Sequence, residues 1–182
     1  MQKLREDPRM FFKFLHVFDK DKGKVVPFVL NDEQEILLDA LLEYNRVVVC
    51  KARQIGCSTL IRAYFLWKTY VSIEPQTSVI LSYTRDSADH LHSIDKDFYL
   101  ALPQPLQRKL SKQSSRTLTF KDTKATLRSF TAGGKAGSTR SFTFSDTSYV
   151  CAKGRNTRAT RCLVLLIPTR GIYRQARLAS FL

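Results

Sequence analysis

The sequence has no acidic residue after Asp146, only three histidines (His16, His90 and His92) and only four cysteines (Cys50, Cys57, Cys151 and Cys162). No cysteine pair has C-x2-C spacing and the histidines do not complete a ligand set, so neither a zinc site nor a disulfide framework is indicated and reduced thiols are expected. No apolar run approaches the ~20 residues of a membrane span. The N-terminal MQKLREDPRM lacks the apolar core of a secretory signal, so a cytoplasmic protein is expected. The run DKDKGK from Asp19 starts like a calcium loop, but Gly23 comes one position early and Leu30 stands where the final glutamate belongs. A charged turn is the expectation there.

What the chain does have is enough apolar content for a core. Its 182 residues are 43% hydrophobic, which suits one globular domain of ordinary size. The net charge of +14 favours a polyanionic partner. The charge is unevenly spread. Residues 1–150 carry 23 basic and 16 acidic side chains, whereas residues 151–182 carry seven basic ones (Lys153, Arg155, Arg158, Arg161, Arg170, Arg174 and Arg177) and no acid. Such asymmetry fits a nucleic-acid arm, or a stretch that does not belong with the rest. Three regions are expected: an N-terminal helical or extended segment over 1–30 packing on the core, the core itself over 31–150, and a basic, acid-free tail over 151–182.

Periodicity divides the core. Residues 8–18 (PRMFFKFLHVF) predict a short aromatic-rich helix. Residues 31–44 predict a firmer one, with Asn31 as N-cap and Gln34 three residues on as in a capping box. Val47–Cys50 is an all-apolar run of the kind found in a strand covered on both faces. Residues 58–73 are apolar on nearly every side, as in a buried helix, and Pro75 ends it. A second buried strand is predicted over 77–84, then a helix over 87–101 capped by Asp86, a polar basic loop over 102–115, and strands over 116–120 and 125–130 joined by KDTK. A flexible loop, TAGGKAGSTR, precedes a short strand, SFTFS. Strand, loop, helix, strand and helix in that order predict right-handed parallel units.

Between the first strand and its helix lies KARQIGCST, residues 51–59. It resembles the phosphate loop G-x-x-x-x-G-K-[ST] with its lysine displaced. Gly56 and Ser58 hold the second glycine and the hydroxyl positions, Cys57 stands at the lysine position, and Lys51 stands at the first glycine. Such a loop works by curling backbone N–H groups around a phosphate at a helix N-terminus. Gly56 gives the turn its freedom, and Ser58 offers a hydroxyl to Mg²⁺, with Thr59 beside it. A lysine at the start of a curled loop can reach the same oxygens as one at its end, so Lys51 can supply the missing charge and Arg53 a forked donor. The plainer reading is an ordinary basic turn between strand and helix.

The block VVVCKARQIGCSTL, with Gln34 upstream in VPFVLNDEQ, resembles the ATPase domain of the large terminase subunit of tailed bacteriophages. The likeness continues through TSVILSYTRDSADHL and GKAGSTRSFTFSD, covering about residues 11–146. It implies a P-loop NTPase-like α/β fold: three α/β/α layers with a mostly parallel sheet, here incomplete at the C-terminus. It implies ATP and Mg²⁺ as cofactors, with Lys51, Arg53, Gln54, Gly56, Cys57, Ser58 and Thr59 forming the phosphate loop. Gln34 matches the adenine contact, and Ser58 and Asp146 the metal ligands. The implied partners are double-stranded DNA, the portal protein and the small terminase subunit, in a ring assembled on the procapsid portal in the bacterial host cytoplasm.

The chain departs from that pattern in one respect that matters for chemistry. Thr147 follows Asp146 where a water-polarising glutamate is needed, and no acid follows it. Asp146 is therefore either a metal carboxylate or a turn residue ending a strand. Residues from about 147 onward do not continue the family pattern, although LVLLIPT (163–169) resembles a strand leading to the coupling motif at Thr169. No carboxylate cluster suits a nuclease site. Two rival readings remain. A helicase-like ATPase would need a second motor domain, and a small basic nucleic-acid-binding protein would have no nucleotide site.

Overall fold

The computed structural model describes residues 2–19, 22–44, 46–51, 55–82, 84–114, 116–131, 147–153, 161–166 and 177–180. Two short helices come first, α1 (Gln2–Glu6) and α2 (Pro8–Phe12). Asp7 caps the second by accepting from the Arg9 N–H, and Pro8 sits at the first helical position, where no N–H is needed. The helix expected to run to residue 18 ends at Phe12. Strand β1 (His16–Asp19) pairs antiparallel with β2 (Lys24–Pro27), Phe18 lying opposite Val25. Two local devices favour this outcome over a helix. Gly23 takes the left-handed conformation (φ 61°), and the Asp19 carboxylate accepts from the Lys22 N–H. The expected charged turn is the end of this hairpin.

Helix α3 (Asp32–Glu43) begins with the full capping box predicted from Asn31 and Gln34. Strand β3 (Arg46–Lys51) leads to helix α4 (Cys57–Val71), and β4 (Thr77–Ser82) to helix α5 (Arg85–Ala101). The cap of α5 is Thr84, whose hydroxyl accepts from the Ser87 N–H. Asp86, expected in that role, lies in the first turn, where its charge suits the helix dipole. The expected loop over 102–115 holds a 3₁₀ turn (Gln104–Leu106) and strand β5 (Leu110–Gln113). Strands β6 (Thr117–Phe120) and β7 (Thr126–Thr131) follow as predicted, joined by KDTK. The last three strands are β8 (Thr147–Lys153), β9 (Arg161–Leu166) and β10 (Arg177–Ser180). The expected strand SFTFS lies outside the described residues.

The protein is α/β, with an eight-stranded sheet in the order β10-β3-β9-β8-β4-β7-β6-β5. The sheet is mixed and not mostly parallel as expected. β4 runs parallel to both β7 and β8, and β3 parallel to β10, whereas β3–β9, β8–β9, β6–β7 and β5–β6 are antiparallel. At the β5–β6–β7 end the reason is local. Connections of a few residues fold a strand back on its neighbour, and parallel neighbours need a long crossover.

The core gathers around α4, which buries Leu60, Ile61, Ala63, Phe65 and Leu66. It receives Phe11, Phe12 and Leu15 from the N-terminal segment, Leu37 and Leu38 from α3, and Phe120 and Leu127 from the sheet. An arginine, a histidine and an aspartate are sealed inside as well. Arg62 on α4 is 1% exposed, and His92 and Asp95 on α5 are 0% exposed. Arg62 Nε donates to Asp95 Oδ1 at 2.5 Å and Nη2 pairs with Oδ2. Desolvation pulls the Arg62 pKa down, yet a guanidinium against a carboxylate keeps its proton. Charges so buried are tolerated only when paired.

Burial, then the charges of Arg62 and Lys96, push His92 down to about 4 from an ordinary value of 6.5. Between those values the unfolded chain binds more protons than the folded one, so stability falls as pH drops through that window. Urea midpoints measured from neutral pH down to about pH 4 are expected to fall steadily in wild type and less in His92→Gln. Equal pH dependence in the two proteins would rule His92 out as the source.

Candidate functional site

The loop after β3 is bounded by two described ends. Lys51 is the last residue of β3, with its backbone in register with Arg161 of β9. Ile55 and Gly56 lead into α4. Arg53, Gln54 and Asp146 lie outside the described residues, as does the Lys51 side chain.

Gly56 is the N-cap of α4, with φ 72° and ψ 5°, and among the described residues no side-chain cap is made there. A left-handed backbone at this point demands glycine in its own right. A second constraint comes from Gln34. Its Nε2 donates to the Gly56 carbonyl at 2.9 Å, and a Cβ built on Gly56 would stand 2.5 Å from that nitrogen. Gln34 is 5% exposed, and its other end accepts from the Asn31 N–H at 3.1 Å. One amide therefore closes the cap of α3 and fastens the entry of α4.

The first turn of α4 sorts its residues by burial. Cys57 is 1% exposed and belongs to the core, so at the position where the usual loop has lysine only its backbone can face a ligand. Ser58 is exposed and Thr59 half-buried. The Gly56 carbonyl accepts from Leu60 as the first helical bond. The N–H groups ahead of Leu60 have no carbonyl one turn back within the helix. Those of Ser58 and Thr59, with no side-chain cap at Gly56, are donors that an anion would meet at the positive end of a helix of 15 residues. Among the described residues no group of three or more His, Cys, Asp and Glu side chains could hold a metal.

Several residues that matter here carried no readable motif. The tie from Gln34 to Gly56 joins positions 22 apart; the sequence marked each residue separately, but nothing in it marked their contact. Arg108, in the segment expected to be a basic loop, is held from four sides. It pairs with Asp122, donates to the Tyr70 carbonyl, and lies 5.5 Å from the Tyr70 ring centre and 5.3 Å from that of Phe120. Its neighbours Lys109 and Lys112 are exposed. No helix of the described residues is long and apolar enough to cross a membrane. No family model matches the chain, and no curated protein matches it either.

The Gln34–Gly56 contact makes a testable pair. Gly56→Ala is expected to cost about 2–3 kcal/mol in urea unfolding, from left-handed strain and the displaced amide. Gln34→Ala is expected to cost about 1–2 kcal/mol. The double variant should cost less than the sum, because the clash disappears with the amide; strict additivity would show that the two positions do not meet.

Proposed function

We propose that the chain is a nucleotide-binding domain of the terminase large-subunit type, built on a P-loop NTPase-like α/β/α scaffold. It would bind ATP with Mg²⁺ at the β3–α4 junction, in a motor that couples hydrolysis to the packaging of double-stranded DNA. The observation that carries this reading is the entry of α4: a left-handed Gly56, no side-chain cap among the described residues, and an exposed Ser58 on the first turn. Together with the sequence KARQIGCST at that junction, this arrangement suits a polyphosphate.

In this reading the backbone N–H groups of Ser58 and Thr59 hold phosphate oxygens, and Lys51 and Arg53 neutralise them from the start of the loop. The Ser58 hydroxyl and the Asp146 carboxylate would hold Mg²⁺, which adds positive charge against the phosphates. By the resemblance Gln34 would contact adenine, and with one Nε2 N–H given to the Gly56 carbonyl it would have to use the second. Because Thr147 follows Asp146, the chain on its own should bind nucleotide far better than it hydrolyses it. DNA, the portal protein and the small subunit would be its partners, on a ring at the portal in the host cytoplasm.

The net charge of +14 favours a second reading, a basic nucleic-acid-binding protein with no nucleotide site. Calorimetric titration with Mg²⁺ and a non-hydrolysable ATP analogue separates the two. Wild type should bind, and Lys51→Ala should bind at least about tenfold more weakly, the loss of one charge-assisted contact. No binding by wild type, with DNA affinity that falls steeply with salt, would give the second reading the field.

A further inference from the structure

Residues 108–131, which hold β5, β6 and β7, carry seven arginines and lysines and a single carboxylate, Asp122. Arg108 holds that carboxylate. Lys109, Lys112, Lys121 and Lys124 are exposed, and among the described residues they form no ion pair. Their placement follows from the pairing of the strands. Side chains alternate between the two faces of a sheet, and directly opposed residues share a face. Leu118 and Leu127 stand opposite each other and are 0% exposed, as is Phe120, so these positions face the core. Thr119 and Thr126, the next opposed pair, therefore lie on the outer face, as do Thr117 and Arg128.

Lys121 is two residues from Thr119, on the same face. Its N–H donates to the Lys109 carbonyl at 2.9 Å, continuing the register in which Leu110 stands opposite Phe120. The two lysines are thus an opposed pair. In a regular strand Lys112 would share the inward side of Leu110. The register shifts between them, so that Lys112 stands opposite Thr119, and this bulge turns it outward. Lys124 lies in the β6–β7 turn with φ 57°, the only non-glycine in the left-handed region among the described residues. That backbone favours glycine, and like charges opposed across strands repel. The left-handed lysine and the opposed lysine pair both work against stability, and both add cations at one end of the sheet.

We propose that the outer face of β5–β6–β7 is a docking surface for the phosphate backbone of duplex DNA, met by Lys109, Lys112, Lys121 and Lys124 with the hydroxyls of Thr117 and Thr119 beside them. Three observations set the chemistry of the partner. The lysines are spread along β5 and the turn after β6 rather than gathered round one point, which suits an extended polyanion over a small anion. Among the described residues no large apolar side chain of β5–β7 is exposed, whereas Phe18, Val25 and Leu100 are exposed elsewhere. The face therefore lacks the anchors of a peptide interface or a lipid surface. It also offers no exposed ring on which the bases of a single strand could stack. Cations and hydroxyls alone are the contact set of a phosphate backbone, and they carry no base information. The choice of DNA as the duplex rests on the motor reading above; the face itself needs no nucleotide at the β3–α4 junction.

The test is fluorescence anisotropy of a short labelled DNA duplex with the full chain, without nucleotide, over a range of salt. Lys112→Gln and Lys121→Gln should each bind roughly five- to tenfold more weakly at ~0.1 M salt, with a slope of log affinity against log salt shallower by about one. Lys124→Gly should bind more weakly while its urea midpoint equals or exceeds that of wild type, because the turn loses its strain. Lys13→Gln and Lys24→Gln, at exposed lysines outside the face, should bind like wild type. Equal losses in those two variants would show attraction by net charge and overturn the face. So would tighter binding of a single strand, or of phosphatidylserine vesicles, than of the duplex. Duplex binding with these dependences supports the face even where the ATP analogue fails to bind, and absence of duplex binding overturns it even where the analogue binds.

Discussion

A helix apolar on almost every side must be enclosed on almost every side, and that requirement on α4 organises the rest of the molecule. Five of its polar side chains reach partners on different elements. Arg62 reaches Asp95 on α5, Tyr64 the Leu41 carbonyl on α3, and Trp67 the Leu4 carbonyl on α1. Thr69 reaches Ser78 on β4, and Tyr70 the Leu106 carbonyl beyond α5. Burial raises the Tyr64 hydroxyl to about 12 and lowers the Lys68 ammonium to about 8. A buried polar group without a partner costs more than an ordinary hydrogen bond returns. The five contacts therefore fix the rotation and height of α4, and with them the direction in which its first turn faces.

The parts of the fold legible in the sequence were those with strong local signals. The capping box of α3, the all-round apolarity of α4, and the strands on either side of KDTK were all placed by residues within a few positions of one another. The hairpin at His16–Pro27 was missed because the aromatic spacing of PRMFFKFLHVF also fits a helix, and the decision rests on Gly23 and on pairing with β2. The mostly parallel sheet was expected from the β3–α4–β4–α5 order and from the terminase resemblance, and neither says anything about strands added later by short connections. Within the candidate site, the glycine and the exposed hydroxyl could be read from the motif. The Gln34 tie could not, since it depends on two helices meeting end to end. Arg62 and Asp95 looked like ordinary charged positions in their helices and showed their burial only in three dimensions.

Net charge counts side chains, not their availability. Several arginines of the described residues are committed inside the fold: Arg9 to Glu35 and Asp39, Arg62 to Asp95, Arg108 to Asp122, and Arg116 to Asp89. Arginine suits such positions because its planar fork matches a carboxylate. The lysines of the β5–β6–β7 end, at 109, 112, 121 and 124, are exposed. Any polyanion meeting this face would encounter point charges on flexible stems, an arrangement suited to following a phosphate backbone and poorly suited to reading individual bases.

Trp67 is the chain's only tryptophan. It lies 8% exposed, with its indole nitrogen 2.7 Å from the Leu4 carbonyl. The single indole chromophore thus sits at the seam between the first helix and the centre of the fold. Its fluorescence colour is an optical gauge of that seam, sensitive to the N-terminal helix lifting away while the remainder stays folded.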